Sequence, residues 1–141
     1  MFIGEFEYKI DEKGRVLIPP GFRKELKDGV ILTVGIEKCL ILYPVAEWKK
    51  IASSLTTGSV TPSKLRKLNR AIFATAFSLE IDGQGRIALP GPLREFAQIK
   101  DTLIIAGVNT YLELWNQELW TAEKEVSQGQ AWQIIESLER H

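Results

Sequence analysis

Two arginines each follow an aspartate by four residues, in Ile10-Asp11-Glu12-Lys13-Gly14-Arg15 and Ile81-Asp82-Gly83-Gln84-Gly85-Arg86. A guanidinium is a rigid fork of donors that fits a phosphate, or the O6/N7 edge of guanine in the major groove. A carboxylate placed just ahead of it can orient that fork, or can neutralise it as a simple turn staple. One such pair would leave both readings open. Two pairs allow Arg15 and Arg86 to be presented together. Lys13, a compact cation, suits a phosphate contact that carries affinity without sequence information. The second copy has Gln84 at that position, so the halves are not expected to be equal.

Duplicated aspartates also open a catalytic reading, since two symmetry-related carboxyls sharing a proton are the working parts of aspartic proteases. Such sites read Asp-Thr/Ser-Gly, whereas these read Asp-Glu-Lys and Asp-Gly-Gln. The arginine that follows would also hold its aspartate ionised. Asp11 and Asp82 are therefore assigned to orienting the turn and its arginine. The expected protein is not an enzyme and needs no cofactor or metal. Its only histidine is the last residue, His141. The single cysteine, Cys39, lies in the apolar run Cys39-Leu40-Ile41-Leu42 and reads as a core residue with nothing to activate it.

The pairs belong to a longer repeat. Phe6, Ile10, Asp11, Gly14, Arg15, Pro19 and Arg23 align at one fixed offset with Phe77, Ile81, Asp82, Gly85, Arg86, Pro90 and Arg94. One residue further out of register, Gly35, Tyr43 and Trp48 meet Gly107, Trp115 and Trp120. Two copies are too few for a solenoid, so the repeat implies a duplicated unit about a pseudo-twofold axis.

Each copy must build elements that hold its Asp-x-x-x-Arg turn. Apolar residues alternate through 6–10 and again through 77–81, as in strands with one buried face. Asp-x-x-Gly then makes a tight turn, with Asp bonding its own backbone and Gly14 or Gly85 free to take positive φ. A second strand follows, 15–18 or 86–89, and a proline stops it. These two strands are expected to pair as a hairpin with the arginine at its base. Short helices are predicted at 21–26 and 92–97, and strands at 30–34, 39–43, 102–107 and 111–115. A helix is predicted over 45–55, ending in a flexible connection at 56–59. Thr61-Pro62 opens another helix, with Thr as N-cap and Pro in the first turn. After a helix over 117–126, Gly129 is expected to interrupt, with a last helix at 131–138 turning Trp132, Ile135 and Leu138 inward, and Trp132 docking on this subunit or a neighbour.

The chain has 141 residues, 45% hydrophobic and 26% charged, with formal net charge zero. These are ordinary values for a globular protein, and no signal peptide or bilayer-spanning apolar run is present. Cytoplasm is the expected compartment. Neutrality conceals a gradient. Lys49, Lys50, Lys64, Arg66, Lys67 and Arg70 cluster in the middle without an acid, while six glutamates follow Thr110. Such asymmetry fits nucleic-acid binding or head-to-tail contact between subunits.

The paired Asp-x-x-x-Arg segments resemble the MraZ family of bacterial transcriptional regulators, tandem versions of the AbrB-type swapped-hairpin domain. The start Met1-Phe2-Ile3-Gly4-Glu5-Phe6 is similar too, as are Leu42-Tyr43-Pro44…Glu47-Trp48, Arg66…Arg70…Phe73…Ala76 and Leu112-Glu113-Leu114-Trp115. The resemblance implies an α+β fold, with duplicated hairpin units forming a pseudo-twofold small β-barrel core with flanking helices. Residues 1–141 would form one duplicated domain: a first half at 1–56, a connecting helix at 57–76, a second half at 77–126 and a helical tail at 127–141. It implies a nucleoid-associated regulator, a repressor, that binds double-stranded DNA and no membrane. A homo-oligomeric ring would sit on repeated boxes upstream of its own division and cell-wall gene cluster. Lys13, Arg15 and Arg86 would touch DNA. Asp11, Gly14, Asp82 and Gly85 would shape the turns. An AbrB-type antitoxin, which adds a disordered toxin-wrapping tail, or a protein-interaction module is the alternative, but Trp120, Trp132, Ile134 and Ile135 favour folded docking of the tail over disorder.

Overall fold

The computed structural model describes residues 1–58 and 60–139, with the side chains of Thr56 and Thr57 left aside. Ser59 of the expected connection and the last two residues of the expected tail lie outside the described residues. Strands β1 (Phe2–Lys9), β3 (Val30–Val34), β4 (Leu40–Pro44), β5 (Phe77–Leu79), β7 (Thr102–Asn109) and β8 (Tyr111–Trp115) form one antiparallel sheet. Its order is β1-β7-β8-β4-β3-β5. Exchanging each strand with its repeat mate reverses that order onto itself, so the duplication is written into the sheet. The pseudo-twofold axis passes between β4 and β8, where Ile41 faces its own counterpart, Glu113.

Strands β2 (Arg15–Leu17) and β6 (Arg86–Ala88) form a separate two-stranded antiparallel ribbon. Here too a residue faces its counterpart: Val16 opposes Ile87. Both lie on the axis, and both are 1% exposed. Alternation along the ribbon turns Val16, Ile18, Ile87 and Leu89 into the same apolar cluster as Leu40, Leu42, Leu112 and Leu114 of the sheet. Burial of these aliphatic side chains is the main force joining the halves.

Two expectations about the strands are corrected. The turns close as expected, Asp11 N–H to the Arg15 carbonyl at 3.0 Å and Asp82 N–H to the Arg86 carbonyl at 2.9 Å. The flanking strands then part instead of forming a hairpin. β1 pairs along its length with β7, and β2 pairs with β6. The Ile18 N–H donates to the Gly85 carbonyl and the Leu89 N–H to the Gly14 carbonyl, both at 2.8 Å, so each turn is completed by the other half. The small β-barrel is likewise not formed. The six-stranded sheet is open, with β1 and β5 at its edges, because the three-residue strands of the ribbon stack on the sheet and do not bridge those edges.

Helices cover the opposite sheet face. Tyr43 and Ile41 alternate with the buried leucines, and Tyr43 meets Trp48 of α1 (Val45–Thr57) at 5.5 Å between ring centroids. Their repeat mates Trp115 and Trp120 meet at 5.7 Å, seating α4 (Gln117–Glu139) in the equivalent place. α1 continues past the expected end at Leu55. α2 (Pro62–Ile72) opens as expected, with Thr61 Oγ1 accepting from the Lys64 N–H at 3.3 Å. Phe73 then packs edge-on against Trp48.

The short helix expected at 21–26 is two 3₁₀ turns, Pro20–Phe22 and Lys24–Leu26, while α3 (Gly91–Phe96) is its α-helical counterpart. α4 runs unbroken through Gly129, correcting the expected interruption. Glycine costs a helix interior only about 1 kcal/mol against alanine, and nothing crowds the chain there. The tail is helical but undocked. Trp132 is 74% exposed and Leu138 70%, so the expected inward packing of Trp132, Ile135 and Leu138 does not occur within this chain.

Candidate nucleic-acid interface

Opposed residues in an antiparallel pair point to the same side. Arg15 opposes Ala88, and Leu17 opposes Arg86. With Val16 and Ile87 turned into the core, Arg15, Leu17, Arg86 and Ala88 all point outward. The two arginines are therefore diagonal neighbours on one face, roughly 7–8 Å apart by ladder geometry and closer between β-carbons. The ribbon, not either turn alone, brings them together.

Each arginine is oriented by its aspartate. Asp11 Oδ1 accepts from the N–H groups of Lys13 and Arg15, both at 2.9 Å, and Oδ2 accepts from Arg15 Nε at 2.7 Å. The second turn repeats this, with Asp82 Oδ1 accepting from Gln84 and Arg86 N–H at 2.9 Å and Oδ2 from Arg86 Nε at 3.0 Å. The Arg15 N–H above all, helped by its guanidinium, holds the Asp11 carboxyl below the ordinary aspartate range. Asp82 is lowered for the same reason, first by the Arg86 N–H. A shared proton would raise one of the two pKa values. Arg86 Nη1, moreover, lies 3.8 Å from Asp11 Oδ2. This arrangement opposes the protease reading, and it leaves the Nη edges of the arginines as the part able to meet a ligand.

Gly14 and Gly85 sit at φ +77° and +80°, the left-handed region that each turn was expected to require. The Lys13 side chain is exposed at its turn tip, as is Gln84 at the other, so the two turns share one backbone and differ in charge. Cys39 is buried and its thiol is pushed up to about 12, first by desolvation and then by Glu113, which suits a core residue and not a nucleophile. Among the described residues, no three His, Cys, Asp or Glu side chains converge as metal ligands would.

Sequence reasoning left Arg23 and Arg94 without a role, though both are matched positions of the repeat. Arg23 Nε donates to the Ile18 carbonyl at 2.9 Å, and Arg94 Nε to the Leu89 carbonyl at 3.1 Å. Each guanidinium covers the glycine of the opposite turn: Arg94 lies over Gly14, and Arg23 over Gly85. The repeat pointed to these positions, but nothing in it showed that they cross between halves.

The ribbon thus carries an outward pair of aspartate-oriented arginines on a duplicated, interlocked α+β scaffold. A family model described as "MraZ protein, putative antitoxin-like" matches residues 1–70 and 72–135. The chain belongs to the MraZ family. Two curated relatives from Dehalococcoides mccartyi, both named "Transcriptional regulator MraZ", are 58% and 56% identical. The first alignment spans 100% of both chains and the second 99% of both. A relative of the same name from Thermoanaerobacter pseudethanolicus is 45% identical over 85% of this chain and 84% of its own. These matches support a transcription regulator, a class that is not an enzyme class. Among the described residues, no helix is long and apolar enough to cross a membrane.

Proposed function

We propose that this chain is a sequence-specific DNA-binding regulator, acting as a repressor on repeated boxes upstream of its own division and cell-wall gene cluster. The observation that carries this reading is the placement of Arg15 and Arg86 on one outward face of the β2–β6 ribbon. A two-stranded ribbon fits the major groove, and an arginine fork on O6 and N7 of guanine contributes about 1–3 kcal/mol of discrimination. Lys13 binds a neighbouring phosphate. Asp11, Gly14, Asp82 and Gly85 hold the turns in shape and do not touch bases, where a carboxylate would be repelled.

Two arginines per chain read few bases, and the net charge of zero supplies no broad attractive field. Specificity is restored by a homo-oligomeric ring that repeats the contact along an array of boxes, through effective concentration. Lys64, Arg66, Lys67 and Arg70 on α2, which have no carboxylate partner among the described residues, and the glutamates of α4 are complementary surfaces for a heterologous contact that closes. The regulator works in the cytoplasm, on the nucleoid.

A footprint of the purified protein on the DNA upstream of its own gene tests this. Expected is protection of repeated boxes at a spacing near one helical turn, roughly 10–10.5 base pairs. Inserting half a turn between boxes is expected to weaken binding far more than inserting a full turn. Protection no different from that on unrelated duplex would overturn the reading.

A further inference from the structure

We infer that Arg23 and Arg94 are phosphate anchors flanking the base-reading pair, each built by one half of the chain onto the turn of the other. The inference rests on the DNA-binding reading above and adds two residues to its interface. Four observations carry it. Both side chains are half-buried, and Gly14 and Gly85 are buried beneath them. Nε of each is bound to a backbone carbonyl, which fixes the plane of the fork. Neither has a carboxylate partner among the described residues, whereas Arg15 and Arg86 are both neutralised by aspartate. Finally, each lies against the turn that carries an arginine of the outward pair, next in sequence to Gly14 or Gly85.

The chemistry divides the four arginines. Arg15 and Arg86, oriented by carboxylates that cancel much of their charge, are suited to directional readout. Arg23 and Arg94 keep their full charge on a partly desolvated, preorganised fork, which favours a phosphate oxygen. Such a contact sets register and affinity without discriminating between sequences.

The salt dependence of binding separates this role from a merely structural one. Duplex affinity is measured for wild type and for Arg23→Gln, Arg94→Gln and the double variant, on boxed and scrambled duplexes from about 50 to 200 mM salt. Each substitution is expected to flatten the slope of log K against log [salt] by about 0.9 and to weaken both duplexes alike. Arg23→Lys, which keeps the charge but loses the carbonyl bond, is expected to keep the wild-type slope. A folded double variant with the wild-type slope overturns the anchors alone. Failure of wild type to prefer the boxed duplex overturns the regulator reading instead. If the glutamine variants do not fold, wild type is tested on duplexes carrying single neutral methylphosphonates. The same scan is run on Lys13→Ala: loss of slope at flanking positions that persists there supports the anchors, and a flat scan in Lys13→Ala overturns them.

Discussion

Nη1 of Arg86 lies 3.8 Å from Oδ2 of Asp11, the same oxygen that accepts from Arg15 Nε at 2.7 Å. One carboxylate from the first half thus addresses arginines from both halves, and the outward pair is electrostatically joined across the pseudo-twofold axis.

Acid titration reads this arrangement. The folded pKa values of Asp11 and Asp82 lie below the ordinary aspartate value of 3.8. Their contribution is therefore fully present above that value and lost as pH falls through the folded pKa. The urea midpoint of wild type is expected to drop steepest below about pH 3.8. An Asp11→Asn, Asp82→Asn double variant is expected to be less stable at neutral pH and to converge on wild type in acid. Parallel curves for the two proteins would show that the carboxylates do not couple to folding.

Gly85 and Gly83 stand two residues apart and should respond very unequally to alanine. Gly85 has φ +80° and lies beneath Arg23, while Gly83 has open space around it and no positive φ. Gly85→Ala is expected to cost at least the roughly 1–2 kcal/mol of a left-handed L-residue. Gly83→Ala should stay within about 0.5 kcal/mol of wild type. Urea denaturation of both variants checks the contrast, and equal stability would contradict the turn geometry.

The strand exchange makes a prediction about fragments. A chain of residues 1–76 keeps β1 without β7 and β2 without β6, and exposes Val16 and Ile18. No cooperatively unfolding monomer is expected from it, by circular dichroism with light scattering. A monomeric fragment with a sharp urea transition would show that the first half folds independently.

Much of this fold was legible because local physics decided it. Alternation in Phe6, Tyr8 and Ile10 marked a strand, Thr61-Pro62 marked a helix start, and the repeat announced the axis on which Val16 meets Ile87. What could not be read was partnership. Periodicity tells which face of β1 turns toward the core, where Tyr8 and Ile10 are partly buried while Phe6 stays exposed. It does not tell that the partner is β7 in the other half, since a turn closed by Asp11 and Gly14 is equally compatible with a local hairpin. The continuous α4 was missed because Gly129 weakens a helix without forbidding it, and the surrounding residues are good helix formers. At the site, Lys13, Arg15 and Arg86 were legible as candidate residues from their types and spacing. Arg23 and Arg94 were not, because their positions follow from the exchange of strands between halves.

The most direct test of the central reading is fluorescence anisotropy of Arg15→Ala and Arg86→Ala on a boxed duplex and its scrambled counterpart, with circular dichroism alongside. Each variant is expected to keep the wild-type spectrum, to bind scrambled DNA nearly as wild type does, and to lose roughly 5- to 150-fold in affinity for the boxes, the equivalent of about 1–3 kcal/mol. Lys13→Ala should instead weaken both duplexes similarly and flatten the salt slope by about one. A folded Arg15→Ala protein that binds the boxes as tightly as wild type would contradict the account.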